Sequence, residues 1–281
     1  MPMSRPKAPA DHGSMSLTDQ QIAQFHSQGF LCFDPRLDPV LPERVIADLG
    51  PNYDQDDLRA SPNGTRVQDA WTFSAAALEL ATHGPIMEAL EQLYGRRPRP
   101  FQTLNFPVGT EQRIHSDTIH FNSEPAGFMA GVWVALEDID ESNGALEYYP
   151  GSHRLPEVTM QDVGRGVGYE HYPDYEAFIE EMIAERDLRA ERARVRRGEA
   201  FIWHGNLLHG GGSHPDRSRT RHSQVTHYFF EGCRYYTPMN STPEERQWRE
   251  PRWVGEPLEP VPAPRSLRQR ISDRLRRLLG L

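Results

Sequence analysis

From Phe101 onward the chain breaks into short runs rich in aromatic and β-branched residues: FQTLNF, QRIHSDTIHF, FMAGVWVALED, ALEYYPG, EAFIWHG and SQVTHYFF. Gly, Pro, Asn or Asp turns separate them. Strands this short and this often interrupted build antiparallel sandwiches or barrels. Helical patterns come first. In SLTDQQIAQFHSQGF, Thr18 caps a helix with Gln21 at its third position, Ile22 and Phe25 share a face, and Gly29 ends it. LPERVIADLG closes at Gly50, and GPIMEALEQLYG places Ile86, Leu90 and Leu93 on an apolar face. Helices followed by many strands predict an α+β domain, mainly β, with a helical layer on one side of the barrel. A chain of 281 residues with 37% hydrophobic residues is long enough to bury such a core as a single domain.

The domain is expected over 17–255. The stretch 1–16, MPMSRPKAPADHGSMS, has no apolar core of a signal peptide and reads as a disordered lead, which makes the cytoplasm the expected location. An insertion over 155–195 interrupts the strand series. Its helical pattern DYEAFIEEMIAERDLRAERARV spaces Phe178, Met182 and Ile183 for one face, and it reads either as a helix packed on the barrel or as a lid over its mouth. Over 256–281 a Pro-rich linker leads into a basic amphipathic C-terminal helix, RSLRQRISDRLRRLLGL. That helix suits an anionic membrane surface, a partner, or the acidic body of its own chain. The net charge of −9 leaves no footprint for nucleic acid. No apolar run approaches the length of a transmembrane segment. Cys32 and Cys233 sit in apolar or aromatic surroundings and are expected to be buried free thiols. Oligomeric state leaves no mark on the sequence.

Within IHSDTIHF, His115 and Asp117 stand two apart, so on an extended strand they project to the same face. Two imidazoles and one carboxylate on one face of a metal leave room for a co-substrate and O2, which suits non-haem Fe(II). A polar strand edge has the same pattern, and the pair alone does not define a site. His120 falls on the opposite face of such a strand and reads as structural. Ser116, between the pair, reads as facing outward. The second imidazole has five candidates, His204, His209, His214, His222 and His227, and spacing does not choose among them. His209 ends an apolar run before three glycines, where bare backbone admits a small molecule. His204 reads as a core hydrogen-bonding group, and His214 and His222 as solvated residues among loop arginines.

Five segments in order resemble the phytanoyl-CoA dioxygenase-like family of Fe(II)/2-oxoglutarate oxygenases: LTDQQIAQFHSQGFLCFD, GTEQRIHSD, VWVALEDIDESNGALEYYPGSHRLP, RRGEAFIWHGNLLHGGG and RTRHSQVTHYF. Together they cover most of 17–235. The resemblance implies a double-stranded β-helix, a jelly-roll or cupin-like barrel with flanking helices and iron in its mouth. It implies His115, Asp117 and His209 as the catalytic metal ligands, and Arg221 as the partner of the distal carboxylate of 2-oxoglutarate. Arg217 and Arg219 compete for that role but lie on the loop before the strand. Trp133 is implied beside the co-substrate, with Gln112 as amide donor to its other carboxylate and Asn105 as a second candidate. Where some relatives carry Ser or Thr after the distal histidine, this chain has Gly211. His153, in PGSH, reads as a locally hydrogen-bonded turn residue. Phe121, Tyr148 and Tyr235 are aromatic candidates near the mouth. The carboxylate at Asp117 favours oxidation over halogenation.

The expected activity is that of a dioxygenase using Fe(II), 2-oxoglutarate and O2, hydroxylating an unactivated C–H bond of a small-molecule substrate and releasing succinate and CO2. The alternatives are a non-catalytic metabolite-binding or zinc-binding barrel of the same fold, and a zinc hydrolase on the same ligands.

Overall fold

The structure, a computed structural model, describes residues 15–53 and 66–257. The expected C-terminal helix and all but Met15 and Ser16 of the expected lead lie outside the described residues. Met15 is buried and its N–H donates to Glu88 Oε2 at 2.6 Å, so packing begins ahead of Leu17. No helix among the described residues is long and apolar enough to cross a membrane.

Strands β1 (Phe30–Phe33), β8 (Ala200–His204), β5 (Met129–Ala135), β10 (Ser223–Phe230), β3 (Pro98–Phe106) and β2 (Val67–Gln68) form one antiparallel sheet in that order. A second sheet runs β7 (Glu191–Ala193), β6 (Leu146–Tyr148), β9 (His209–Gly211), and a third β12 (Trp248–Arg249), β11 (Arg234–Tyr236), β4 (Asn122–Glu124). Helices α1 (Asp19–Gln28), α2 (Leu41–Leu49), α3 (Ala75–Ala81) and α4 (Gly84–Tyr94) cover the outer face of the large sheet. The period-2 alternation of strands divides the core accordingly. Ala130, Val132, Val134, Ile202, Tyr228 and Phe230 pack under the helices with Phe25, Val45 and Leu90. Trp133, Phe201, Trp203 and Val225 face inward, against Ala145, Tyr148 and Ala193 of the second sheet. The expected mainly-β α+β barrel with a helical layer is the observed fold. At β1, the edge strand, the same alternation packs Leu31 and Phe33 under the helices and puts Cys32 on the other face, so Cys32 is exposed rather than buried, and Cys233 is only partly covered.

Thr18 and Gln21 form both halves of the capping box on α1, and Gly29 ends it at φ +84°. A Cβ there would lie 2.5 Å from His153 Nδ1. His153 Nε2 bonds the His26 carbonyl at 3.1 Å, so it ties the PGSH turn to the end of α1 and is not a local turn contact. In the insertion, α5 (Met160–Val163) and α6 (Tyr172–Glu185) are helical. The expected helix ends earlier than its charge-rich continuation suggested. Asp187 turns the chain at φ +48°, and Glu191–Ala193 pairs with β6 as β7. Tertiary pairing that buries Ala193 and Val195 outweighs helix propensity here. The buried face of α6 is Tyr175, Ile179 and Met182, while Phe178 and Ile183 stay half-buried.

His204, at the end of β8, lies 5.4 Å between ring centroids from His153 and stacks near Tyr94, accepting the Asn206 N–H on Nδ1 at 3.1 Å. Burial, with the neighbouring His153 and His26, pushes its pKa down to about 4 from 6.5. The unfolded chain therefore takes up this proton first as pH falls. The stability His204 contributes is complete above pH 6.5, and about 3 kcal/mol is lost as pH drops to about 4. Urea titrations of wild type and His204→Asn across this range should show a shallower loss in the variant; parallel curves would reject the linkage.

Candidate metal centre

The strand expected over QRIHSDTIHF does not form. His115 makes an isolated bridge, in which His115 and His209 each donate the backbone N–H to the other's carbonyl at 2.9 Å. Ser116 is extended, with φ −112° and ψ 144°, so His115 and Asp117 do project together. A 3-10 turn over Asp117–Ile119 then redirects the chain and brings His120 into the same cavity. His120 is thus not turned away: strand parity ends at Asp117.

His115, Asp117 and His209 are buried, and one donor atom from each lies within 4.8 Å of the others. His115 Nε2 is 3.8 Å and His209 Nε2 3.9 Å from Asp117 Oδ1. The Nδ1 of His115 lies 2.9 Å from the Arg113 carbonyl, and that of His209 2.9 Å from the Leu207 carbonyl. A carbonyl only accepts, so both rings donate from Nδ1 and turn the Nε2 lone pair to the centre. Burial and the His209 ring push the His115 pKa down to about 3, which keeps it neutral and able to ligate. Burial alone would raise Asp117, but the adjacent His209 and His227 rings hold it well below the usual carboxylate range. Two imidazoles around an ionised carboxylate form a donor set suited to a divalent cation.

Asp117 is oriented from behind. The Trp203 indole N–H donates to Oδ2 at 2.7 Å, and His227 Nε2 lies 3.6 Å from the same oxygen. Oδ1 is left for the centre. Gly131 makes room for that indole, since a Cβ there would lie 2.2 Å from Trp203 Cε2. Trp203→Phe keeps the ring and loses the donor. Divalent-metal affinity should fall roughly ten- to hundredfold, measured by anaerobic titration with Fe(II); unchanged affinity would remove Trp203 from the site.

Gly210 and Gly211 after His209 line the cavity, as expected of bare backbone there, and also lie close against other backbone. A Cβ on Gly211 would lie 2.6 Å from Glu111 N, and one on Gly210 2.7 Å from the Gln112 carbonyl. This contact draws the 110–113 segment, and with it His115, against β9. From the other side the insertion braces the same segment. Ser116 faces inward: its N–H donates to the Tyr175 hydroxyl at 3.0 Å, and Arg113 bonds Glu176 and Glu180 of α6.

The three groups open into a cavity of about 340 Å³. At one end lies Arg221, 4% exposed. Its contacts are long, Nη2 to the Val108 carbonyl at 3.3 Å and Nη1 to Ser223 Oγ at 3.5 Å, and Nε has no partner. The guanidinium carbon sits 5.3 Å from the Trp133 ring centre. Burial lowers its pKa to about 10, and it makes no ion pair among the described residues. Its competitors are engaged at the surface, Arg217 with Glu111 at 2.7 Å and Arg219 with Asp140 at 2.9 Å. Trp133 lines the cavity with its indole N–H unpartnered, and Gln112 Nε2 is 3.4 Å from His115 Nε2. Buried donors without acceptors, beside a buried cation, fit a bound carboxylate.

Asn105 is elsewhere. On β3 the cavity takes Gln102, Leu104 and Phe106, and parity turns Asn105 outward, where its amide donates to Gln224 Oε1 at 2.9 Å under the helical layer. Tyr148 and Tyr235 also miss the cavity, whereas Phe121 lines it. Sequence reasoning missed Arg66, Gln68, Gln102, His227, Tyr169 and Tyr172 as lining residues. Gln102 and His227 were within its reach: they are a cross-strand pair, bonded at 2.8 Å, and His227 shares the inward face with Val225. His214 is 2% exposed, and His222 half-buried, rather than solvated.

A family model described as phytanoyl-CoA dioxygenase (PhyH) matches residues 25–222. Peroxisomal phytanoyl-CoA dioxygenase of Rattus norvegicus is 29% identical over 145 residues, which are 49% of this chain and 38% of that protein. A probable phytanoyl-CoA dioxygenase of Caenorhabditis elegans is 29% identical over 147 residues, covering 50% of this chain and 43% of that one. The chain thus spans less than half the length of these curated relatives. Among solved structures, the non-heme alpha ketoglutarate dependent carbocyclase SnoK from nogalamycin biosynthesis superposes with a TM-score of 0.64 at 15% identity, over 79% of this chain and 90% of that one. EctD from S. alaskensis, solved with 2-oxoglutarate and 5-hydroxyectoine, gives 0.60 at 17% identity, over 90% of each chain. At such identities these two likenesses show a shared fold.

Proposed function

The chain belongs to the phytanoyl-CoA dioxygenase family, and from that premise we propose that it is a non-haem Fe(II)- and 2-oxoglutarate-dependent dioxygenase that hydroxylates a C–H bond of a small molecule. The observation that carries the reading is Arg221, a buried cation without a counter-ion at the end of a cavity that also holds His115, Asp117 and His209. A zinc hydrolase on the same ligands has no use for such a cation, and neither has a purely structural histidine cluster.

When bound, Fe(II) supplies chelation of the keto acid and activation of O2, coupling decarboxylation of 2-oxoglutarate to substrate oxidation. His115, Asp117 and His209 hold the metal. Trp203 fixes the carboxylate so that one oxygen faces the cavity. Arg221 binds the distal carboxylate of 2-oxoglutarate, and Trp133 packs beside it and offers its free N–H. Gln112, adjacent to His115, serves the other carboxylate. Phe121, Tyr169 and Tyr172 wall the remaining space, excluding water and holding the substrate near the metal. The 155–195 insertion acts in two ways, as a brace through Tyr175 and as this wall through Tyr169 and Tyr172.

Fe(II) and 2-oxoglutarate mixed with the protein under argon should give a visible charge-transfer band, and O2 should then yield succinate. A protein that forms no band and no succinate would sink the oxygenase reading in favour of a non-catalytic barrel.

A further inference from the structure

On the same cavity wall stands a cation that the oxygenase reading leaves unused. Arg66 immediately precedes β2, at the edge of the large sheet, and lines the cavity together with Gln68. It makes no ion pair and no hydrogen bond among the described residues. Several surface arginines find carboxylates, such as Arg44 with Glu79 at 2.9 Å and Arg194 with Glu141 at 2.8 Å, and others, such as Arg36 and Arg186, do not among the described residues; Arg66 differs from these in lining the cavity. Asp117 is the one carboxylate among the described lining residues, and it is committed to the metal centre. With Fe(II), dianionic 2-oxoglutarate, ionised Asp117 and protonated Arg221 in place, the formal charges cancel. Arg66, exposed at the cavity, is then the cation there that no described carboxylate engages.

Size narrows the ligand further. The cavity of about 340 Å³ is at the small end of ligand sites, and the keto acid takes part of it. The space left accepts a compact molecule. Phe121, Tyr169 and Tyr172 give it an aromatic wall, and the Tyr172 hydroxyl is buried beside Gln112. One guanidinium beside an aromatic wall matches a small organic anion with a single carboxylate. Among the described residues, the cavity lining offers beyond Arg221 one arginine, Arg66, and no second for the several phosphate charges of a coenzyme A thioester.

We infer that the primary substrate is a compact monocarboxylate, with its carboxylate paired to Arg66 and its reacting carbon directed past Tyr172 toward the metal. Arg66 is then the residue that selects substrate charge, and this inference rests on the oxygenase reading above.

The test uses the protein loaded with Fe(II) and 2-oxoglutarate, probed with hexanoate, hexanamide, hexylamine and hexanoyl-CoA. The readouts are the shift of the visible band under argon and succinate release after O2 is admitted. Hexanoate should act at concentrations roughly ten- to hundredfold lower than hexanamide, the scale of a hydrogen-bonded charge. Arg66→Gln should erase that preference and Arg66→Lys should keep much of it. Equal responses to hexanoate and hexanamide, a preference that survives in Arg66→Gln, or a response confined to hexanoyl-CoA would overturn the inference. The band of the wild-type protein before any probe is added tests the oxygenase reading separately.

Discussion

Replacing Arg221 with methionine should raise the KM for 2-oxoglutarate by about two orders of magnitude or more while leaving Fe(II) affinity within a few-fold of wild type. Removing one member of a buried, hydrogen-bonded charge pair costs roughly 2–5 kcal/mol, and Arg221 is the only cation buried in this cavity among the described residues. The metal is held by other residues, which separates the two readouts. A second consequence has the opposite sign. Without a bound anion, Arg221 is a desolvated charge with an unpartnered Nε and two long contacts. A methionine of similar length removes that penalty, so the ligand-free variant should be as stable as wild type or more so, by up to about 4 kcal/mol. Saturating 2-oxoglutarate should then raise the melting temperature of wild type and not of the variant, because only wild type gains binding energy on the folded side. An unchanged KM would show that the cavity's cation serves another ligand and that 2-oxoglutarate is held by other residues.

Much of the fold was legible because its cues are local. The capping box at Thr18 and Gln21, the glycine at 29 and the alternating strands each determine a short piece of backbone without help from the rest of the chain. The failures share a cause, which is that tertiary contacts override local pattern. The continuation of α6 has the composition of a helix, but β6 offers it a strand partner. The segment around His115 alternates like a strand, yet the second sheet contributes to it one bridge, at His209, and the chain turns immediately afterwards. His120 was misread for that reason alone. The candidate site divides in the same way. The spacing of His115 and Asp117 put them on one face without defining a site. His209 and Arg221 came from the family resemblance, since five histidines and three arginines compete in one stretch of sequence. Asn105 failed on parity, and the β3 and β10 register that exposes Gln102 and His227 is a pairing between segments more than a hundred residues apart. Arg66 and Tyr169 carry no periodic or motif signal at all. Their role as lining residues follows from how β2 and the insertion fold over the mouth.

The largest effect expected at the metal centre comes from the smallest change, Asp117→Asn. The side chains are isosteric, so the fold has no reason to fail. In wild type, Oδ2 accepts the Trp203 N–H, and Oδ1 faces the Nε2 atoms of His115 and His209. In the variant the amide oxygen keeps the Trp203 bond, because an indole N–H requires an acceptor. The amide NH2 is then turned toward the two Nε2 atoms. Those atoms carry lone pairs, since both rings donate from Nδ1 to backbone carbonyls. The amide therefore occupies with N–H donors the position that a cation needs, and it removes the single negative charge of the donor set. Divalent-metal affinity should fall by about a thousandfold or more, the scale of losing a charged ligand from a buried site, and succinate formation should fall with it. The metal-free variant should still fold and melt modestly below the wild-type temperature, because the amide keeps the Trp203 hydrogen bond but loses the attraction of the His209 and His227 rings for the carboxylate. That combination separates ligand loss from misfolding. Fe(II) titrations under argon, run beside thermal melts of the metal-free proteins, read both quantities. A variant that binds Fe(II) within tenfold of wild type would exclude Asp117 as a ligand. A variant that melts far below wild type would mean that the carboxylate holds the barrel together through its histidine neighbours rather than holding a metal.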